Sequence, residues 1–577
     1  MTRTMQLHLL LSVFFSLSQT PSLAYRLEST GKSAVWEVTV TGTGFDPAAG
    51  PISLSLNDWG DWRGVDSLFF RLLSIEPASA AAPTAALPPF TLTSLTPEGG
   101  FQVRYSLRLT LLGSGAQQAL GLLPFHGPNY EYGQTRNVFL AVQQGGAPTS
   151  AAVSVELLPP EGAEVFSGWA GRSAGPQRAA VDPSAWNGLF AFGKPKAARQ
   201  FGSAQSPVLV WQLGAARDVS DTVGSTIEAL VGAMGAAMGR PGPNPLRVFI
   251  HDASSGGMAA EQGFVIGYPA DTPDFHQFSP YFAQTIAHEL FHNWLGITVP
   301  ASEEIAWFHE GFTDYLALWF MATTSTCQRT WFADRLLELE TAALSESALG
   351  SVSFADPGSG WRDGNGRMER MAYQGGALLA FRLDVELRAA GRAGLPKLVG
   401  DFLREGGATS LERIRAWITA QGLPDFYDDF IAGAALPEVA ASLERAGFRL
   451  ENRAVPLTYL GLQAEGEGLG ARIVRVDEDG PAAQAGIRAG DVVRGYSPTR
   501  DGTVVAEGEL ATSFRFGLAL FEPAAKSVQL WLDRDGVEIE VRIVPRPMSG
   551  GLERRTADPG ASLDPFFRFA PPADEPR

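Results

Sequence analysis

From Tyr25 to about residue 195 the chain alternates with the two-residue period of strands. Phe101, Val103, Tyr105, Leu107 and Leu109 are interleaved with Gln102, Arg104, Ser106 and Arg108, and Trp36 to Val40 repeats the pattern. Alternation of this kind puts one face in a core and the other in water, so residues 25–195 are expected to form an antiparallel β domain. Past Ser206 the period changes. A buried-strand run at Val208 to Trp211 is followed by a helical pattern from Ser225 to Met238 and a second short strand at Leu246 to Ile250, and helical spacing then dominates from Ser279 to about Phe448. An αβ stretch (196–296) followed by an all-α stretch (297–451) predicts one unit in two lobes with a cleft between them. A boundary falls at Asn452 to Pro456. Residues 455–546 turn strand-rich again and end in a hairpin around Asp535-Gly536, a pair that favours a tight turn. From 547 to 577 Gly, Pro and charge prevail, which predicts a disordered tail. The fold class is therefore multidomain α+β.

Composition narrows the function. The 577 residues carry a net charge of −17, which argues against a nucleic-acid partner because such a chain would release no phosphate counterions. Arg3, the apolar run Leu7 to Leu17 and the small-x-small site Ser22-Leu23-Ala24 read as a signal peptide over residues 1–24, with an uncleaved anchor as the alternative. No second long apolar run follows, so the mature chain is expected without a transmembrane segment, exported to a periplasmic or extracellular space. The lone Cys327 allows no intramolecular disulfide and reads as a packed thiol.

The chemistry concentrates in Ser279 to Gly296. Ser279 is a good N-cap, Pro280 fits the first helical position and Gly296 is a natural stop, so one helix of about four turns is expected. His288 and His292, four residues apart, are offset by only ~40° and can present two imidazoles to one zinc ion. Glu289 lies ~100° round from His288, beside the metal, where a carboxylate can take a proton from the attacking water. A catalytic zinc site wants a third protein ligand. The metzincin arrangement would need His at position 298, which is Thr298. Glu310, on a second helix capped by Ser302, is the expected third ligand, with His309, Glu303 and Glu304 as competitors. Asp314, four residues on, can hydrogen-bond a ligand imidazole and fix its tautomer.

With these residues in view, HELFHNW (288–294) and WFHEGFTDY (307–315) resemble the gluzincin metallopeptidases, and the EGFT-x-Y form is most similar to the glycyl aminopeptidase family. The resemblance implies a thermolysin-like two-lobed catalytic domain over 196–451, one Zn2+ per chain, and peptide or protein substrates. It implies that Tyr373, in Met371 to Leu379, donates to the oxyanion, although Gly375 stands where the family pattern has lysine. It also points to Gly257 and Glu261, in Gly256 to Gly263, as lining the cleft and gripping a substrate amine. Two extra residues before Glu261 and Gln262 in place of a histidine make this match loose. An endopeptidase with the same site, or a peptide-binding protein with a vestigial one, are the competing readings. Finally, Tyr459-Leu460-Gly461-Leu462 with Gly480 to Val493 is similar to bacterial PDZ domains. That implies a groove for a C-terminal peptide between this loop and a helix at Thr512 to Phe521, the alternative being a domain that only packs against the catalytic lobe.

Overall fold

The computed structural model describes residues 20–29, 31, 34–55, 70–77, 88–111, 124–181, 188–214, 217–253, 256–269, 272, 279–297, 305–356, 366–407, 409–467, 470–500, 503–504, 527–558 and 566–567. The N-terminal part is three β-sheets. Its largest face alternates as expected: Tyr25, Leu27, Val38, Val40, Val103 and Tyr105 are all buried in one core. The sheet is not purely antiparallel, because Ser22–Ser29 runs parallel to Ala152–Leu158 on one side and antiparallel to Val35–Thr43 on the other. That strand starts at Ser22, with Leu23 buried and paired to both neighbours, so the leader boundary drawn at residue 24 falls inside the fold. Ser-Leu-Ala satisfies a small-x-small site and an in-out strand equally well.

The five-stranded sheet that follows has the order Ala197–Ser203, Ser206–Gln212, Leu246–His251, Gly263–Gly267, Gly256–Ala260. Its three inner strands are parallel, and both edge strands are antiparallel to their neighbours. Both faces are covered. Val208, Val210, Val248, Ile250, Phe264 and Ile266 face helices α1 (Ser220–Met238) and α2 (Pro280–Phe291), whereas Trp211, Phe249 and Val265 face Phe125, Tyr132 and Phe166 of the β domain. This is why the strands read as near-continuous apolar runs. Helices α3 (Phe312–Thr323), α4 (Arg329–Glu346) and α5 (Gly376–Ala389) belong to the helical lobe and share the large core of α1 and α2. Cys327 packs against that core, and burial pushes its thiol up to about 12, as suits a packed thiol and not a nucleophile.

The C-terminal module has its own sheet and core, with Leu460, Ile473, Val493, Leu530 and Ile543 inside. Asp535 and Gly536 both have positive φ, the conformation a two-residue Asp-Gly hairpin turn demands. Leu460 and Gly461 turn their carbonyls to the amides of Ala482 and Asp477, which packs the loop at 460–462 against the next turn. The expected groove helix at 512–521 lies outside the described residues. Within the segment expected as a disordered tail, Arg546–Asp558 pairs antiparallel with Arg449–Tyr459, and Phe566 and Phe567 are buried in the core of the helical lobe. Its composition is polar, but the segment gains an edge to pair with and two aromatic rings to bury. Among the described residues no helix is long and apolar enough to cross a membrane.

Candidate metal centre

Helix α2 begins where expected, the Ser279 hydroxyl accepting from the Tyr281 amide with Pro280 at the first helical position. It ends sooner than expected. The α-helix stops at Phe291, and the chain tightens through His292 to Leu295, where the amides of Asn293 and Trp294 donate to Leu290 and Phe291, three residues back. His292 Nδ1 thereby reaches the Leu295 carbonyl at 2.9 Å. His288 Nδ1 lies 2.8 Å from Asp314 Oδ1. A carbonyl and a carboxylate only accept, so both Nδ1 atoms carry hydrogen, and in the neutral rings both Nε2 lone pairs point into the site.

Those two Nε2 atoms are 2.9 Å apart, and Glu310 Oε2 lies 3.4 Å from that of His288 and 3.2 Å from that of His292. Two lone pairs at that distance repel unless a cation or proton sits between them, and one carboxylate oxygen completes the cluster. The ligand atoms of His288, His292 and Glu310 all lie within 4.8 Å of one another. Two imidazoles and a carboxylate are the donor set of an open catalytic zinc site, so the residues fit the ion. Without metal the site is charged. Burial opposes protonation of both histidines, yet Asp314 and Glu310 beside His288, and Glu310 beside His292, hold them above the ordinary imidazole range. Burial likewise disfavours ionised Glu310, but the two imidazoles override it and hold the carboxyl well below its usual range. A metal bound there would displace protons that this carboxylate cluster draws in.

Glu289 is buried beside the cluster, and burial raises its pKa against the opposing pull of the two histidines. It stands against the edge strand Gly256–Ala260. Gly257 pairs with Ile266 and shares its face, toward α2, where a Cβ on Gly257 would come within 2.5 Å of Glu289 Cγ. Met258, on the opposite face, meets the guanidinium of Arg136. Glu261 lies just past the end of that strand. The strand ends at Ala260, and Glu261 forms the following turn with Gln262, whose φ is +60°. Three residues of strand separate it from Gly257, four steps or about 13 Å of chain. Its carbonyl lies instead near Gly168 of the β domain.

Glu310 and Tyr373 occupy two π-helical turns, Trp307–Gly311 and Met371–Gly375, which lead into α3 and α5. Such turns carry one extra residue per loop of helix and often mark functional sites. The Tyr373 ring stacks on His288 with centroids 6.0 Å apart, and its phenol bonds to Glu310. Burial and the neighbouring carboxylates hold that phenol far above its usual range, so it stays a donor. Of the competing ligands, His309 is buried with neither ring nitrogen hydrogen-bonded and lies outside the ligand cluster, its pKa pushed down to about 4 by burial. Glu303, Glu304 and the Ser302 cap lie outside the described residues. Sequence reasoning missed both π turns and the Leu295 carbonyl; the glycines at 311, 375 and 376 were the only signal of the former.

Residues 260–384, which hold the whole cluster, match the Peptidase family M1 domain. The chain is further similar in fold to the crystal structure of an aminopeptidase N family protein from Idiomarina loihiensis, with 16% identity and a TM-score of 0.63 over 95% of this chain and 100% of that one. A mutant of an M1 zinc metallopeptidase from Deinococcus radiodurans, solved with a Tyr-Ser-Ala substrate, aligns with 14% identity and a TM-score of 0.46 over 73% of this chain and 96% of that one. No curated protein matches the chain.

Proposed function

We propose that this chain is a zinc metallopeptidase that hydrolyses peptide bonds, with removal of N-terminal residues as its first reading. The observation that carries the proposal is the convergence of His288 Nε2, His292 Nε2 and Glu310 Oε2, with Glu289 alongside. A zinc ion held there supplies Lewis acidity, which acidifies a water and polarises a carbonyl. Glu289, with its raised pKa, takes the proton from the attacking water and returns it to the leaving amine. Tyr373 donates its phenolic hydrogen to the oxyanion. Asp314 keeps the His288 ring in the tautomer that ligates. The edge strand Gly256–Ala260 offers backbone groups to an extended peptide.

A second reading, internal cleavage, is favoured by that strand. An aminopeptidase holds a protonated α-amine and needs a carboxylate besides Glu289 and Glu310, whereas Gly256 to Ala260 carry no charge and Glu261 sits in the turn. The two readings separate on one pair of peptides, alike except for N-acetylation. Loss of the first residue from the free peptide alone supports the aminopeptidase, equal internal cleavage of both supports the endopeptidase, and a zinc-loaded chain that cuts neither sinks the peptidase proposal. The remaining proposals are export and a PDZ fold for residues 455–546. Support comes from the leader-like N-terminus for the first, and from the module's separate core and its Leu460–Gly461 turn for the second. A C-terminal peptide binding to the isolated full chain through Tyr459 to Leu462 would test the latter.

A further inference from the structure

The chain leaves the helical lobe through Arg449–Tyr459, builds the C-terminal module, and returns along the same ribbon, Tyr459 opposite Arg546 and Arg449 opposite Asp558. It then inserts Phe566 and Phe567, only 5% and 4% exposed, into the lobe it left. Phe567 meets Phe332 of α4 edge-on at 5.4 Å and approaches Trp319 of α3 at 6.3 Å. Phe566 lies 6.2 Å from Phe381 of α5. A cation stands over each ring, Arg388 at 4.9 Å from Phe566 and Arg329 at 4.8 Å from Phe567.

The Arg388 contact leads inward. Its Nε donates to Asp384 at 2.9 Å, and the fully buried Asp384 also accepts from the Tyr315 hydroxyl at 2.5 Å. Tyr315 follows Asp314, the partner of His288, on α3, and α5 continues from the π turn that carries Tyr373. Of the three helices that the tail touches, α3 and α5 are the two that lead to the outer partners of the metal ligands, and α4 packs beside them.

We propose that Phe566 and Phe567 are positioning residues for the metal centre: the docked tail holds α3 and α5 so that Asp314 meets His288 and Tyr373 meets Glu310, and thereby sets how tightly the site keeps its metal. This rests on the zinc reading of that site but not on its being a peptidase. Outer partners of a ligating histidine typically govern metal affinity by 10- to 100-fold.

The test is the full chain carrying Phe566→Ala and Phe567→Ala, loaded with zinc and held well below its melting temperature. Zinc loss to an excess of chelator is expected to be at least about tenfold faster than from the unaltered protein, with kcat lowered and KM little changed. A synthetic peptide spanning residues 561–577 is expected to slow zinc loss again, and the same peptide with both phenylalanines replaced is expected not to. A lower melting temperature with zinc loss and kcat unaltered would overturn the proposal and leave the tail as packing. Should the double variant fail to fold, Phe566→Leu keeps apolar bulk while removing the ring under Arg388, and it is expected to speed zinc loss more than Phe567→Leu; equal or reversed effects overturn the proposal. An unaltered chain that holds zinc but cleaves no peptide would sink the peptidase reading while leaving this test in force. A chain that holds no zinc would sink both.

Discussion

Gly311 and Gly376 touch backbone to backbone: a Cβ on Gly311 would lie 2.4 Å from the Cα and the carbonyl carbon of Gly376, and one on Gly376 would lie 2.5 Å from the Trp307 carbonyl oxygen. The contact joins the π turn of Glu310 to the start of α5, directly after the π turn of Tyr373. Neither glycine is there for a positive φ; the reason is space.

Gly311→Ala is accordingly expected to wedge the two turns apart and cost both zinc and activity. Backbone atoms cannot yield as a flexible side chain can, so the centre moves as a unit. Metal analysis should show weakened zinc binding together with a melting temperature lowered by overpacking, about 1–3 kcal/mol. Unaltered zinc content and turnover would show that the turns tolerate separation.

Much of this site could be read from the sequence, and the parts that could not have physical reasons. Four-residue spacing is a local property of any helix, so His288 and His292 were legible, and Glu310 followed from the need for a third ligand. The π turns were not, because an extra residue in a helical loop leaves composition unchanged. The turn at Glu261 was not legible, because nothing in Ala-Ala-Glu-Gln-Gly announces that the strand stops at Ala260 and that Gln262 adopts a left-handed conformation. The strand at Arg546–Asp558 was not legible, because its polar composition gives no sign of a partner about a hundred residues earlier. Phe566 and Phe567 were the sign that it had a core to join.

Glu289 stands beside the ligands without being one, so metal binding and chemistry should separate. Glu289→Gln is expected to keep near-stoichiometric zinc while hydrolysis falls by ~10²–10⁴-fold, the usual cost of a removed general base. Gly257→Ala approaches the same group from the other side, since its methyl would collide with Glu289 Cγ, and it too should retain zinc with reduced kcat. Loss of zinc from either variant would make Glu289 a ligand or a structural prop.

Tyr373 bonds Glu310, and in turnover its phenol is expected to serve the oxyanion. Because that bond forms only as negative charge develops, Tyr373→Phe should lower kcat by ~10²-fold or more and leave KM nearly unaltered. Steady-state kinetics decide it. Unaltered kcat with a lower melting temperature would assign the ring stacked on His288 to packing alone.

A last prediction concerns acid stability and rests on His251, at the end of an inner strand of the five-stranded sheet. The ring is buried against Phe125 and Tyr132 of the β domain, and its Nδ1 accepts from the Ala253 amide at 3.1 Å. That bond requires the neutral form on Nδ1, and burial pushes the pKa down from 6.5 to about 4 against the pull of Asp252. Between those values the unfolded chain binds a proton that the folded chain refuses. Stability from this group is therefore complete above about pH 6.5 and declines as the pH falls toward 4, by on the order of 3 kcal/mol over the whole window. His251→Gln keeps an acceptor for the Ala253 amide and removes the titration, so its urea midpoint should depend less steeply on pH across that window. His309, also held down to about 4, continues to titrate, so the acid limb should flatten without vanishing. Curves for the two proteins that run parallel from pH 7 to pH 4 would show that His251 is already protonated in the fold, or that this region unfolds apart from the transition being measured.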